Sequence, residues 1–204
     1  MPPKVTLFMI NLIGGVSVLG GYVHGLQTHV ATRHLLWGEI PVQYQGIYTL
    51  HMAPATIGYL ITFYFLMKTP DLHFTNRRPA LPVFSVLYFI FLLSASLWMP
   101  LSFQALDSND PGLFPAIQAV LAITGIAALA IIVALTRLQK TASTTLYKAA
   151  LAGSCFLFIQ CGILDALICR DSSQSRQEAN TALPKPAPGK STALQSVVSF
   201  HLPP

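Results

Sequence analysis

An uncharged stretch at residues 81–103 constrains this chain more than any other feature of its sequence. An apolar run of about 20 residues is long enough to cross the roughly 30 Å hydrocarbon core of a bilayer as a helix. The run ends at Leu97-Trp98-Met99-Pro100-Leu101, where the Trp98 indole suits the boundary between acyl chains and headgroups. Residues 81–103 are therefore predicted to form a membrane span.

The composition supports a membrane class for the whole chain. Only 9% of the 204 residues are charged, against about 25% in an ordinary soluble domain. The formal net charge of +5 invites a nucleic-acid interpretation, but the Lys and Arg residues lie between the apolar runs and not on one element. Charges distributed in this way set membrane topology. The lipid bilayer is the expected partner, and no nucleic acid is expected.

Five apolar runs are predicted to span, at about residues 5–23, 47–67, 81–103, 112–136 and 145–169. The first run exceeds the roughly 7–15 residues of a signal-peptide core and no A-x-A-like cleavage site follows, so we expect a retained span. Residues 170–204 have too little apolar content to offset the cost of ordering and are predicted to be disordered. The predicted fold is an all-α membrane bundle of five helices at residues 1–169, followed by that tail.

The basic residues predict the orientation of the spans. Most of them precede the first span or lie in the second and fourth loops: Lys4, Lys68, Arg77, Arg78, Arg137, Lys140 and Lys148. The first and third loops carry only Arg33. The positive-inside rule therefore predicts a cytoplasmic amino terminus and a tail outside, although Arg170 and Arg176 in the tail oppose this assignment.

Small residues form a regular pattern in the first span. Ser17, Gly21 and Gly25 are spaced by four, and Asn11 and Gly14 lie near the same side. Small side chains at this spacing let two helices approach closely in lipid, so they are predicted to form a packing face. That face could serve inside the bundle or between copies in a homo-oligomer.

Two polar residues inside spans are candidate site residues. His51 shares one helical face with Tyr48 and with three small or polar residues, Ala55, Gly58 and Thr62. Such a face is expected to point into the bundle. Asp165 has two interpretations: its carboxylate reaches the interface near Arg170, or it faces the bundle and shares a hydrogen bond with Gln160 or His51.

Motifs for catalysis or metal binding are not found in the sequence. His24, His29 and His34 are spaced by five, which turns each about 140° from the last on a helix, so they do not share a face. The cysteines form no C-x-x-C pair, and neither a phosphate loop nor a G-x-S-x-G motif is present. No catalytic residue, metal or cofactor is predicted, and we do not expect an enzyme.

The layout resembles the translocator protein family, also called the tryptophan-rich sensory proteins. The shared motifs are Val23-His24-Gly25 after the first span, Ile47-Tyr48-Thr49-Leu50 opening the second, and Trp98-Met99-Pro100-Leu101-Ser102-Phe103 closing the third. The resemblance implies a five-helix bundle that binds porphyrins or sterol-like lipids beneath its first loop. It also implies that Tyr48, His51 and Trp98 line the pocket. The chain departs from the family in having only two tryptophans, Trp37 and Trp98.

Two functions are favoured over a third, an intramembrane enzyme that uses His51 and Asp165, which has the least support. The first is a non-enzymatic binder or carrier of a lipophilic small molecule, with Tyr48, His51, Trp98 and Asp165 as candidate ligand-binding residues. The second is a structural or accessory membrane protein that acts through helix–helix contacts, for which Ser17, Gly21 and Gly25 are the candidate residues.

Overall fold

A computed structural model describes residues 2–30, 36–37, 42–108, 110, 112–139 and 144–165. Its helices are α1 (Pro3–Thr28), α2 (Val42–Lys68), α3 (Leu81–Ser108), α4 (Leu113–Thr136) and α5 (Thr144–Phe158). A π-helical segment at Ile159–Leu164, called the π turn below, continues α5. With this turn counted as part of α5, all five helices are long and apolar enough to cross a membrane. The predicted all-α membrane fold is confirmed, whereas the predicted tail lies outside the described residues.

Several helices extend beyond the predicted spans at one end of the bundle. Helix α1 continues to Thr28 instead of ending near residue 23, α2 begins at Val42 instead of residue 47, and α3 continues to Ser108 instead of residue 103. Hydropathy marks the limit of the hydrocarbon layer, whereas the backbone hydrogen bonds of a helix continue into polar sequence. The first loop is therefore shorter than the sequence indicates.

The helices pack in the order α1, α3, α4, α5 and α2. Two hydrogen bonds join α2 back to α1: the Tyr59 hydroxyl donates to Asn11 Oδ1, and Lys4 Nζ donates to Met67 O over 3.0 Å. With these two bonds the five helices form a closed ring. The sequential neighbours α1 and α2 are joined by these two polar bonds, whereas the main contact of α2 is with α5, which is distant from it in sequence.

Glycine pairs set the closest helix crossings. A methyl group built at Gly58 of α2 would overlap the backbone of Gly153 of α5, and one built at Gly125 of α4 would lie 2.8 Å from the Cα of Gly162 in the π turn. Beside the first crossing, Thr62 Oγ1 lies 3.0 Å from both Ala150 O and Ser154 Oγ. The small face predicted for α2 is therefore used against α5.

Helix α1 packs on α3 through a seam that steps by three or four residues. A methyl group built at Gly14 would lie 2.7 Å from the Leu92 side chain, and Gly25 is buried. A methyl group at Gly25 would lie 2.5 Å from the Phe103 ring, whereas at Gly21 the nearest atom is 4.0 Å away. Ser17 is exposed beside the seam. Of the three residues predicted to form a packing face, two therefore lie towards α3 within the same chain.

The two ends of the bundle differ in packing and charge. Large buried side chains collect where α1 begins and α2 ends, among them Leu7, Phe65, Leu66, Phe84, Tyr88 and Leu135. We call this the basic end, after Lys4, Lys68, Arg77, Arg78, Arg137 and Lys148. At the opposite end the buried cluster is limited to Ala105, Ile117 and Leu121, and residues 42–54 of α2 contribute no buried side chain. The second end is therefore the less tightly packed of the two.

Candidate functional site

The loosely packed end carries acidic and histidine side chains, and we call it the acidic end. Its carboxylates belong to Asp107, Asp110 and Asp165, and within the described ranges it carries neither Lys nor Arg. An ionisable group near the interior of a membrane bundle is costly to maintain and is a candidate for function. The side chains around these carboxylates are therefore candidate site residues.

A polar network joins α2 to the end of the π turn. His51 Nδ1 lies 3.0 Å from Gln160 Oε1, and Gln160 Nε2 donates to Asp165 Oδ1 over 3.0 Å. Because the Gln160 amide donates to the carboxylate through nitrogen, its oxygen accepts, and the hydrogen of this bond belongs to His51 Nδ1. Nε2 of a neutral His51 is then an acceptor. Gln160 is buried, whereas His51 and Asp165 are half-buried, so the network presents polar atoms at its two ends.

The π turn makes this network possible. Residues five apart lie about 140° apart on an α-helix and do not face each other. In the π turn the backbone N–H of Asp165 bonds to Gln160 O, which places residues five apart on one side. The same geometry allows the Gln160 amide to reach the Asp165 carboxylate. π-helical segments of this kind are frequent at functional sites.

Aromatic side chains lie at the acidic end on three helices. The Tyr22 and Trp98 rings of α1 and α3 lie 5.7 Å apart between centroids. The His51 ring lies 5.7 Å from that of Phe156. Flat apolar surfaces therefore lie beside hydrogen-bonding atoms, as in sites for amphipathic small molecules.

The structure places the four predicted ligand-binding residues at the acidic end. They differ in how closely they contact one another. His51 and Asp165 are joined through Gln160, so of the two interpretations of Asp165 the structure has the one in which it faces the bundle. Trp98 packs against the Tyr22 ring of α1. Tyr48 is half-buried one turn before His51 on α2.

Gln160 and Tyr22 are the residues that sequence reasoning did not select as a site. Gln160, the one buried Gln among the described residues of the spans, was named only as one of two alternative hydrogen-bond partners of Asp165. Tyr22 carried no signal, because a tyrosine near the end of a span is equally typical of an interfacial anchor. Its contact with Trp98 depends on how α1 packs on α3.

A groove opens between the last turns of α1 and α3. It encloses about 370 Å³ and is walled by Gly25, Met99 and Phe103, with His29 and Asp107 at its polar side. His29 Nε2 lies 2.9 Å from Asp107 Oδ2, and the His29 ring stacks on Phe103 with centroids 4.2 Å apart. This volume is at the lower end of the range of ligand pockets, roughly 300–1,000 Å³.

The histidines near this groove do not form a metal site. Within the described part of the chain, no group of three His, Cys, Asp or Glu side chains is arranged to hold a metal ion. His24 and His29 both line the groove, whereas His34 lies outside the described residues. The groups of the acidic end can instead hold the polar atoms of a ligand whose remaining surface is apolar.

Comparisons of the chain with protein-family models, with curated proteins and with solved structures gave no match.

Proposed function

We propose that this multi-pass membrane protein binds or carries a lipophilic small molecule at its acidic end and does not catalyse a reaction on it. The observation that carries the proposal is the His51–Gln160–Asp165 network. Polar side chains in a membrane bundle cost free energy unless they are partnered. Here they are partnered through Gln160 at the end where the core is thinnest, so a ligand can reach their outer atoms without displacing a packed core.

The proposed ligand class is an amphipathic ring system such as a sterol or a porphyrin. The Tyr22, Trp98 and Phe156 rings supply apolar surfaces. A sterol hydroxyl, or a porphyrin propionic acid group in its protonated form, can donate to the Asp165 carboxylate or to Nε2 of a neutral His51. The resemblance to the translocator protein family supports the same ligand classes.

Saturable binding is the first expected result for the purified full-length protein. Titration with protoporphyrin IX or with the fluorescent sterol dehydroergosterol is expected to change tryptophan emission to a plateau. His51→Phe keeps an aromatic ring beside Phe156 but removes both ring nitrogens, so it is expected to weaken binding about tenfold, in line with the loss of one hydrogen bond in an apolar site. Gln43→Leu, an exposed position on the same helix, is the matched control and is expected to bind as the wild type does.

Two results would contradict this proposal. One is emission that changes linearly with added ligand, as expected for partition into detergent. The other is equal binding by His51→Phe and the wild type. Failure with both ligand classes would favour the accessory function, which acts through helix contacts. That function would require a surface other than Gly21 and Gly25, since both lie towards α3.

We also propose that the amino terminus is cytoplasmic. Among the described residues, every Lys and Arg lies at the basic end, and Asp71 is the single carboxylate there. The positive-inside rule places such an end in the cytoplasm. The loops that face outside would then be those of the acidic end.

Cysteine labelling is expected to show this orientation. In a variant whose Cys155, Cys161 and Cys169 are replaced by serine, Ser108→Cys is expected to react with an impermeant maleimide applied to intact cells. Asn76→Cys is expected to react only after permeabilisation. Both positions are exposed at opposite ends of the bundle. The reverse pattern would invert the topology, and labelling of both from outside would contradict the α3 span.

A further inference from the structure

The loop after α2 and the segment after α4 bind each other at the basic end. Thr75 N donates to Arg137 O over 3.0 Å, and Gln139 N donates to His73 O over 3.0 Å. Phe74 and Leu138 form an isolated antiparallel bridge between these bonds. We call residues 69–80 and 137–139 together the basic clamp. Two loops separated by the whole of α3 and α4 thus form one backbone-bonded unit.

Further backbone bonds hold the first loop of the clamp in a tight turn. Phe74 N donates to Arg78 O over 2.9 Å, and Arg77 N donates to Phe74 O over 2.8 Å. Arg77 has a φ of 61°, which lies in the left-handed region that non-glycine residues rarely adopt. A residue keeps such a conformation where its surroundings impose it. The turn therefore presents Arg77 and Arg78 in a defined position.

Apolar side chains anchor the clamp to the bundle. Leu72 and Leu138 are buried in the core of the basic end, and the Phe74 ring stacks on that of Phe84 in α3 at 6.2 Å between centroids. The loops are therefore packed elements and not free linkers. The backbone of arginines on such a support loses little additional freedom when they bind a ligand.

The guanidinium groups of the clamp are not neutralised within the described part of the protein. Arg77, Arg78 and Arg137 are exposed, and within those described ranges none of them forms an ion pair. A guanidinium offers a planar set of donors that matches the oxygens of a phosphate. Three guanidinium groups on one backbone-bonded unit, opposed there by the single carboxylate of Asp71, leave a net positive charge that favours an anionic group.

The clamp also lies where a lipid headgroup would be. It follows the last residues of α2 and α4 and precedes the first residue of α3, Leu81, so it sits at the ends of three membrane spans. One turn before Arg137 on α4, Val133 is exposed and offers an apolar surface to an acyl chain. A free phosphate would contact the arginines alone. A phospholipid would contact the arginines with its headgroup and the apolar surface at Val133 with an acyl chain.

We propose that the basic clamp binds the headgroup of an anionic phospholipid. Arg77, Arg78 and Arg137 hold the phosphate and any further acidic group, while the acyl chains lie along the lipid-facing side of α4. Basic sites at helix ends on the cytoplasmic side are known to recognise such headgroups. The proposed site is at the opposite end from the His51–Gln160–Asp165 network and is independent of it.

Native mass spectrometry of the purified full-length protein can test this site. Phosphatidylglycerol is expected to remain bound at least about tenfold more tightly than phosphatidylcholine of the same chain length, because each Arg near a headgroup contributes roughly a fivefold effect. Arg77→Gln combined with Arg137→Gln removes one charge from each loop of the clamp. This double variant is expected to lose most of that preference and to keep only the roughly fivefold effect that the remaining Arg78 supplies.

Lys68→Gln combined with Lys148→Gln is the matched control. It removes the same number of charges from exposed positions at the same end but outside the clamp, and it is expected to keep most of the preference for phosphatidylglycerol. Equal loss in the two double variants would overturn the proposal in favour of general charge attraction. Retention of the full preference by the arginine variant would also overturn it. Displacement of the lipid by millimolar inorganic phosphate would show a free-anion site instead.

Discussion

Replacing Gly58 with alanine is expected to lower the free energy of unfolding by about 2–3 kcal/mol. The added methyl group would overlap the backbone of Gly153. Because the obstacle is backbone and not the end of a flexible side chain, α2 and α5 must separate to admit it. Gly153→Ala is expected to have a similar effect, since its methyl group would meet the Gly58 backbone. The measurement is reversible unfolding of the purified protein in mixed micelles.

Gly20→Ala is the control for this prediction. Gly20 lies in α1 and has no neighbouring atom within 4 Å of an added methyl group. Alanine there is expected to leave stability unchanged or to raise it by up to about 1 kcal/mol, because alanine favours the helix more than glycine does. A Gly58→Ala variant as stable as the Gly20→Ala variant would mean that α2 and α5 do not cross at these residues.

Replacing Gln160 with leucine is expected to destabilise the protein by about 1–3 kcal/mol. Leucine has a similar size but can bond neither His51 nor Asp165, so both lose the partner that joins them. The larger cost is that of leaving half-buried polar groups without a hydrogen bond, and not the loss of the bond itself. Reversible unfolding of the variant in the same mixed micelles measures this loss of stability.

A double-mutant cycle tests the connection that Gln160 makes. In the wild-type background, His51→Ala and Asp165→Asn are expected to show a coupling energy above about 0.5 kcal/mol. In the Gln160→Leu background the coupling is expected to fall to nearly zero, because the connecting amide is absent. A coupling near zero in both backgrounds would return Asp165 to the membrane interface and separate it from His51.

The sequence alone predicts the number of spans and part of their orientation within the bundle. The five runs are recognisable because the thickness of the hydrocarbon layer sets a minimum apolar length. The inward face of α2 is predictable because Ala55, Gly58 and Thr62 repeat with the helical period, and all three are buried. These inferences use only local composition and the regular geometry of an α-helix.

The candidate site was only partly predictable, because its geometry departs from that of a regular α-helix. His51 and Asp165 stand out as ionisable side chains in apolar runs, but periodicity assumes 3.6 residues per turn. On that assumption Gln160 and Asp165 point in different directions. Only the π turn, with its wider spacing, brings the Gln160 amide to the Asp165 carboxylate.

Contacts between distant segments were decided by the tertiary structure. Gly58 and Gly153 are nearly a hundred positions apart in sequence, and each glycine is compatible with several crossings. The basic clamp depends likewise on Thr75 meeting Arg137, which requires α3 and α4 to return the chain to the same end. Hydropathy determines which segments enter the bilayer, because it depends on each segment alone. Which segments then become neighbours depends on complementary shapes and hydrogen-bond partners, and these exist only once the helices have packed.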